Sequence, residues 1–118
     1  MSSSKIDMEM KLDKIYFDYI KSGKKIYETR VYDEKRQKIK LNTIVLFKDK
    51  QSTKTFKAQI TELSWFKTFK DAIIDSGVKK VMPNCRSVED SVKLYEAFPN
   101  YKIGAKKYGV LRMKFTLL

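Results

Sequence analysis

The chain has no histidine, one cysteine, two prolines, four glycines and one tryptophan in 118 residues. The missing histidine removes the commonest general base and the usual imidazole metal ligand. Cys85 alone can build neither an intramolecular disulfide nor a cysteine-based zinc site. Any catalysis must therefore draw on Lys, Glu, Asp, Tyr, Ser, Thr or Cys85, and neither a metal nor a cofactor is expected. No apolar run approaches the roughly 20 residues that span a bilayer, and residues 1–7 hold no apolar signal core. With a lone thiol, this points to an intracellular protein, cytoplasmic or nuclear, not secreted and with no membrane partner. Acidic residues are scarce too: 14 against 26 Lys and Arg leave a charge of +12. Such an excess attracts polyanions, so nucleic acid or an anionic membrane surface is the natural partner class, the alternative being a generally basic solvated surface; of these, nucleic acid is the expectation.

What is present suffices for one folded unit. Hydrophobic residues make up 42% and aromatics 13%, too much for a disordered chain, while 118 residues leave no room for a second core. The reading is a flexible leader, 1–7, and a single domain, 8–118. Met8 to Leu12 reads as a strand, followed by a helix capped by Asp13 and stopped by Gly23, with Leu12, Ile15, Tyr16, Tyr19 and Ile20 on its apolar side. Lys25 to Tyr32 alternates as a strand does, and a basic connection follows, Asp33 to Lys40. Thr43 to Lys48 and Thr55 to Leu63 read as strands joined by a turn. Thr68 with Asp71 and Ser87 with Asp90 resemble capping boxes for two short helices, the first ending at Gly77 and the second before Pro99. Tyr108 to Leu118 reads as a closing strand with one buried side. Strands mixed with two or three short helices, without βαβ repetition, give an α+β fold whose mixed sheet of about five or six strands curls into a barrel.

Gly23-Lys24-Lys25-Ile26-Tyr27-Glu28-Thr29-Arg30 resembles the G-x-K-x-x-E-x-R signature of ASCH domains, placed, as there, directly after an amphipathic helix. Asp33 to Arg36 with Ile39 to Phe47, and Lys107-Tyr108-Gly109-Val110-Leu111, are similar to two further runs of that family. The chain departs where the family carries Gly-Asp: Asn42-Thr43 stands there, and Asn tolerates the left-handed turn. The resemblance implies a small PUA-like β-barrel and a cleft for RNA or a modified nucleotide.

Glu28 and Arg30 lie two apart on one strand and share a side. They either pair with each other across the barrel mouth or meet a ligand, Arg30 through its planar fork and Glu28 as acceptor. Strand parity sends Lys25 to the other side unless the chain is still turning after Gly23. Between Lys21 and Lys40 eight cations, including Lys24, Lys25, Arg30, Lys35 and Arg36, outnumber three acids and could form a positive rim for a phosphate backbone. Trp65, followed by Phe66 and Lys67, and Tyr101 and Tyr108, flanked by lysines, offer rings for base stacking or for core packing.

Two functions result. The first is a nucleic-acid-binding module, RNA favoured over DNA, or a nucleotide-binding one, with Lys24, Lys25, Glu28, Arg30, Arg36, Trp65, Lys67, Tyr101 and Tyr108 as ligand contacts. The second is a hydrolase, since some ASCH-like proteins resemble amidohydrolases of acylated cytidine and others ribonucleases; Lys25 and Glu28 would then be catalytic. Glu28 stands where the amidohydrolase nucleophile is a Thr, so a water-activating carboxylate would replace a hydroxyl.

Overall fold

The computed structural model describes residues 5–118. Of the expected flexible leader, residues 1–4 lie outside the described residues, and Asp7 is anchored: its N–H donates to the Ile44 carbonyl and its carboxylate accepts from the Ile44 N–H, both at 2.9 Å. Five strands, β1 (Met8–Leu12), β2 (Tyr27–Val31), β3 (Ile44–Asp49), β4 (Thr55–Phe66) and β5 (Val110–Leu117), form one sheet in the order β1-β3-β4-β5-β2. The β1–β3 pair is parallel and the others antiparallel.

The long β4 gives the sheet its curl. Its first half pairs with β3 and the rest with β5, and the register shifts between Ile60 and Glu62. A bulge bends and twists its strand, so the two edges β1 and β2 swing toward each other. They do not zip together; instead the Arg30 guanidinium on β2 donates to the Lys11 carbonyl on β1 across the gap, at 3.4 Å. The result is the α+β, barrel-like mixed sheet that the alternation pattern implied, left open at one seam.

Helix α1 (Lys14–Ser22) plugs the concave side with Phe17 and Ile20, which join Met10, Val45, Phe47, Ile60 and Met113. Phe17 meets Phe56 edge-on at 4.9 Å. The buried stripe is offset from the expected one: Ile15 stays 44% exposed and Phe17 takes its place. Asp13 stands at the N-cap without capping; Gln51 accepts from the Lys14 N–H at 2.7 Å instead. That bond ties the β3–β4 loop to the start of α1, beside the seam.

The convex side carries α2 (Phe69–Ser76), the single turn α3 (Val78–Val81), α4 (Val88–Glu96) and α5 (Tyr101–Tyr108). The Thr68 and Ser87 hydroxyls accept from the N–H groups of Asp71 and Asp90 at 3.0 and 3.1 Å, as their sequence pattern predicts. Among the described residues five α-helices replace the two or three expected; α5 escapes sequence reading because Lys102, Gly104, Lys106 and Lys107 blur its apolar stripe.

This helical layer also corrects the expectation that β5 buries one side. Val110 to Met113 are buried on both faces. Arg112 lies between the rings of Tyr27 (4.2 Å) and Phe66 (4.9 Å) and is neutralised by Asp75 at 2.7 Å. A charge in an alternating strand reads as solvent-facing, and only a layer laid over it could show otherwise.

At the opposite end of β4 from its turn, Trp65 is part of the strand, not beyond it as expected. Its indole N–H donates to the Tyr108 carbonyl at 3.0 Å, and the ring rests on Gly109, which has φ 78°. A Cβ there would sit 2.5 Å from the indole nitrogen. Gly109→Ala is expected to cost about 1–3 kcal/mol of stability, from left-handed strain and displacement of the ring, and to lower the urea midpoint accordingly. Emission from the single tryptophan should shift with it; an unchanged midpoint and spectrum would refute the contact.

Candidate functional site: a charged cleft in the open seam

The cleft occupies the gap between β1 and β2. Lys11 and Leu12 border it on one side, Glu28, Thr29 and Arg30 on the other, and Tyr16 of α1, Tyr95 of α4, Phe98 of the α4–α5 connection and Tyr101 of α5 wall it. Its volume is about 80 Å³.

Two charges, Glu28 and Arg30, line it, and a third, Lys25, backs them from outside the cleft. Glu28 is buried; its Oε2 accepts from Arg30 Nε at 3.0 Å and its Oε1 lies 3.3 Å from Lys25 Nζ. Lys25 is not in the strand, which starts at Tyr27. Its N–H bonds the Tyr19 carbonyl and that of Ile26 the Lys80 carbonyl, which turns the Lys25 side chain inward irrespective of strand parity. There its ammonium is sealed from solvent, donates to the Val81 carbonyl and faces the Tyr16 ring at 5.8 Å. Arg30 spends one N–H on Glu28 and another on Lys11, and keeps donors for the cleft.

The electrostatics follow from that packing. Burial drives the Lys25 amine below its ordinary range, with Glu28 only partly restoring it. Burial alone would raise the Glu28 carboxyl, but Lys25 and Arg30 together outweigh it and hold it below the usual carboxylate range. Burial also lifts the Tyr95 hydroxyl well above its normal value and that of Tyr101 less far, where Arg30 opposes the rise.

Two hydroxyls in the cleft wall, Thr29 Oγ1 and Tyr95 Oη, are buried without a hydrogen-bond partner of normal geometry among the described residues. They are near neighbours, Thr29 opposing the rise that burial imposes on Tyr95, and each keeps hydrogen-bonding capacity to spare. Buried polar atoms of this kind call for a partner.

At its mouth the cleft opens onto a hollow of about 400 Å³ that shares Lys11, Arg30 and Lys50 with it and adds Lys35 and Arg36. Lys50 is set there by backbone: its N–H donates to the Leu12 carbonyl at 2.9 Å. Arg36 is steadied by Asp33 at 2.7 Å, and Glu9, also in the hollow, is drawn to Lys48 at 3.2 Å.

The residues singled out from sequence thus divide. Glu28, Arg30 and Tyr101 line the cleft and Arg36 its rim. Lys25 lies behind Glu28, out of the cleft, and Lys24 is exposed away from it. Trp65 and Tyr108 meet each other elsewhere, and Lys67 borders a separate groove among the helices. Sequence reasoning missed Lys11, Lys50, Tyr16 and Tyr95. The two tyrosines sit on helices whose stripes predict burial, while Lys11 and Lys50 reach the seam only through the parallel register of Lys11 with Lys48 and Leu12 with Asp49.

A curled five-stranded mixed sheet with a helical layer and a charged cleft in its open seam defines a class of small α+β domains. The chain belongs to the ASCH domain family, matching it over residues 10–117. It is similar to the hypothetical protein PH0355, known from a crystal structure, at 34% identity and TM-score 0.83, covering 94% of this chain and 98% of that one. It is also similar to protein PF0455 from Pyrococcus furiosus, known from a solution structure, at 29% identity and TM-score 0.76, covering 94% and 96%. No curated protein shows significant similarity.

Removing one member of the charge cluster should cost unequally. Glu28→Gln strands the sealed Lys25 cation and is expected to cost about 3–5 kcal/mol, whereas Lys25→Met leaves Glu28 neutralised by Arg30 and should cost clearly less. Urea denaturation measures both, and equal losses would refute the asymmetry. Because the Glu28 carboxyl is depressed in the folded state, its contribution is present above the ordinary value of 4.5 and fades as pH falls through the lower folded value. The stability gap between the parent and Glu28→Gln should therefore narrow in acid.

Proposed function

We propose that this protein binds single-stranded nucleic acid, RNA in preference to DNA, by taking one unpaired base into the seam cleft while the rim holds the adjoining phosphates. The observation that carries the reading is the coincidence of a base-sized, ring-walled cleft with a cationic mouth. About 80 Å³ of cleft corresponds to some five waters, or about 150 Å³ of liquid, which suits one flat ring system and not a duplex. Lys11, Lys35, Arg36 and Lys50 would neutralise phosphates without reading sequence. Thr29 Oγ1, Tyr95 Oη and the free donors of Arg30 would meet the edge of the base. RNA is favoured because sequence-specific recognition of RNA targets unpaired bases in loops and single strands, and because the family likeness implies an RNA or nucleotide cleft.

The geometry gives the hydrolase reading less support. A sealed Lys25 cannot touch a substrate in the cleft without rearrangement. A carboxylate held below its usual range and pinned on both oxygens is a weak proton acceptor near neutral pH.

Binding of fluorescent single-stranded RNA should weaken with salt at a log–log slope of about −3, from four rim cations at about 0.7 each on single strands. Lys11→Ala and Lys50→Ala should each reduce that slope by about 0.7. Salt-insensitive association, or none, would refute the proposal. Incubation with acetylated cytidine or RNA is expected to give no product; turnover abolished by Glu28→Ala would restore the hydrolase.

A further inference from the structure

The helical layer holds a second hollow, of about 400 Å³, between the start of α2 and the facing sides of α4 and α5. Its floor is apolar: Phe69, Val92 and Ala105. Four lysines stand around it, Lys67 and Lys70 on one bank and Lys102 and Lys106, one turn apart on α5, on the other. None of these four makes an ion pair among the described residues, and Glu96 is the one acid in the lining.

The pattern of charge and floor selects the occupant. Unpaired ammonium groups on flexible stems around aliphatic side chains suit a ligand with carboxylates and an aliphatic anchor. A nucleobase fits less well, because the Phe69 ring is buried and already stacked with Tyr95 at 4.6 Å and Tyr101 at 5.8 Å, so no free ring is left for it. The groove is also separate from the seam cleft: Phe69 borders the groove, whereas Tyr95 and Tyr101, stacked on it, border the cleft.

We propose that this groove docks an acidic segment of a partner protein, an aliphatic side chain seating on Val92 and Ala105 while neighbouring carboxylates meet Lys67, Lys70, Lys102 and Lys106. This surface is independent of the nucleic-acid cleft, and its failure would leave that reading standing.

The probe is a fluorescein-labelled decapeptide alternating Glu with Leu, followed by anisotropy. Two control peptides replace Leu by Ser and Glu by Lys. The double variant Lys102→Glu/Lys106→Glu changes only exposed side chains, and its melting midpoint should match the parent. It is expected to weaken the Glu/Leu peptide at least about tenfold, as should replacing Leu by Ser, while Lys11→Ala/Lys50→Ala leaves peptide binding unchanged. Equal binding of the Ser peptide, undiminished binding by the double variant, or no binding by the parent overturns the proposal. So does a double variant that weakens single-stranded RNA as much as the peptide, which would give the groove to the nucleic-acid surface.

Discussion

The contact on which the seam depends is the buried meeting of Lys25, Glu28 and Arg30. A carboxylate removed from water is tolerated only with compensation, and here two cations compensate it from different directions. Lys25 ties it to the start of β2 and to the Val81 carbonyl, and Arg30 ties it to the backbone of β1. The gap between β1 and β2 therefore keeps a defined width. The cleft exists because this gap is bridged by side chains instead of being zipped by a ladder.

The same arrangement lets one strand both hold the seam together and present charge to the cleft. The alternatives that strand alternation leaves open, an internal ion pair or a ligand-facing pair, are not exclusive in this fold. Arg30 has more donors than Glu28 can use, so pairing fixes its plane while part of its fork still faces the cleft. Glu28 orients Arg30; Arg30 presents the charge.

Much of this was legible in the chain. Period-two and helical spacing located β1, β3, β5 and α1, the two caps started α2 and α4 at the right residues, and Asn42 does take the left-handed conformation, with φ 70°. The G-x-K-x-x-E-x-R run marked the charge cluster. What local pattern cannot carry is long-range pairing. That Lys11 and Lys50 meet at the rim follows from a parallel register across more than thirty intervening residues. Whether Lys25 points inward depends on bonds to Tyr19 and Lys80 that lie outside any strand. The burial of Arg112 follows from helices far earlier in the chain, laid over a face that its own alternation assigns to water.

An unclosed sheet carries a hazard of its own. Each border strand has a row of backbone groups that another copy could extend, the usual origin of strand-swapped dimers and fibrils. Here both borders look into the seam, where Arg30 already occupies one carbonyl of β1 and Lys11, Lys35 and Lys50 would repel an equally basic copy. The lysines gathered around the seam thus act as gatekeepers against self-association. Neutralising them for tighter or looser ligand binding would also remove what keeps the borders apart.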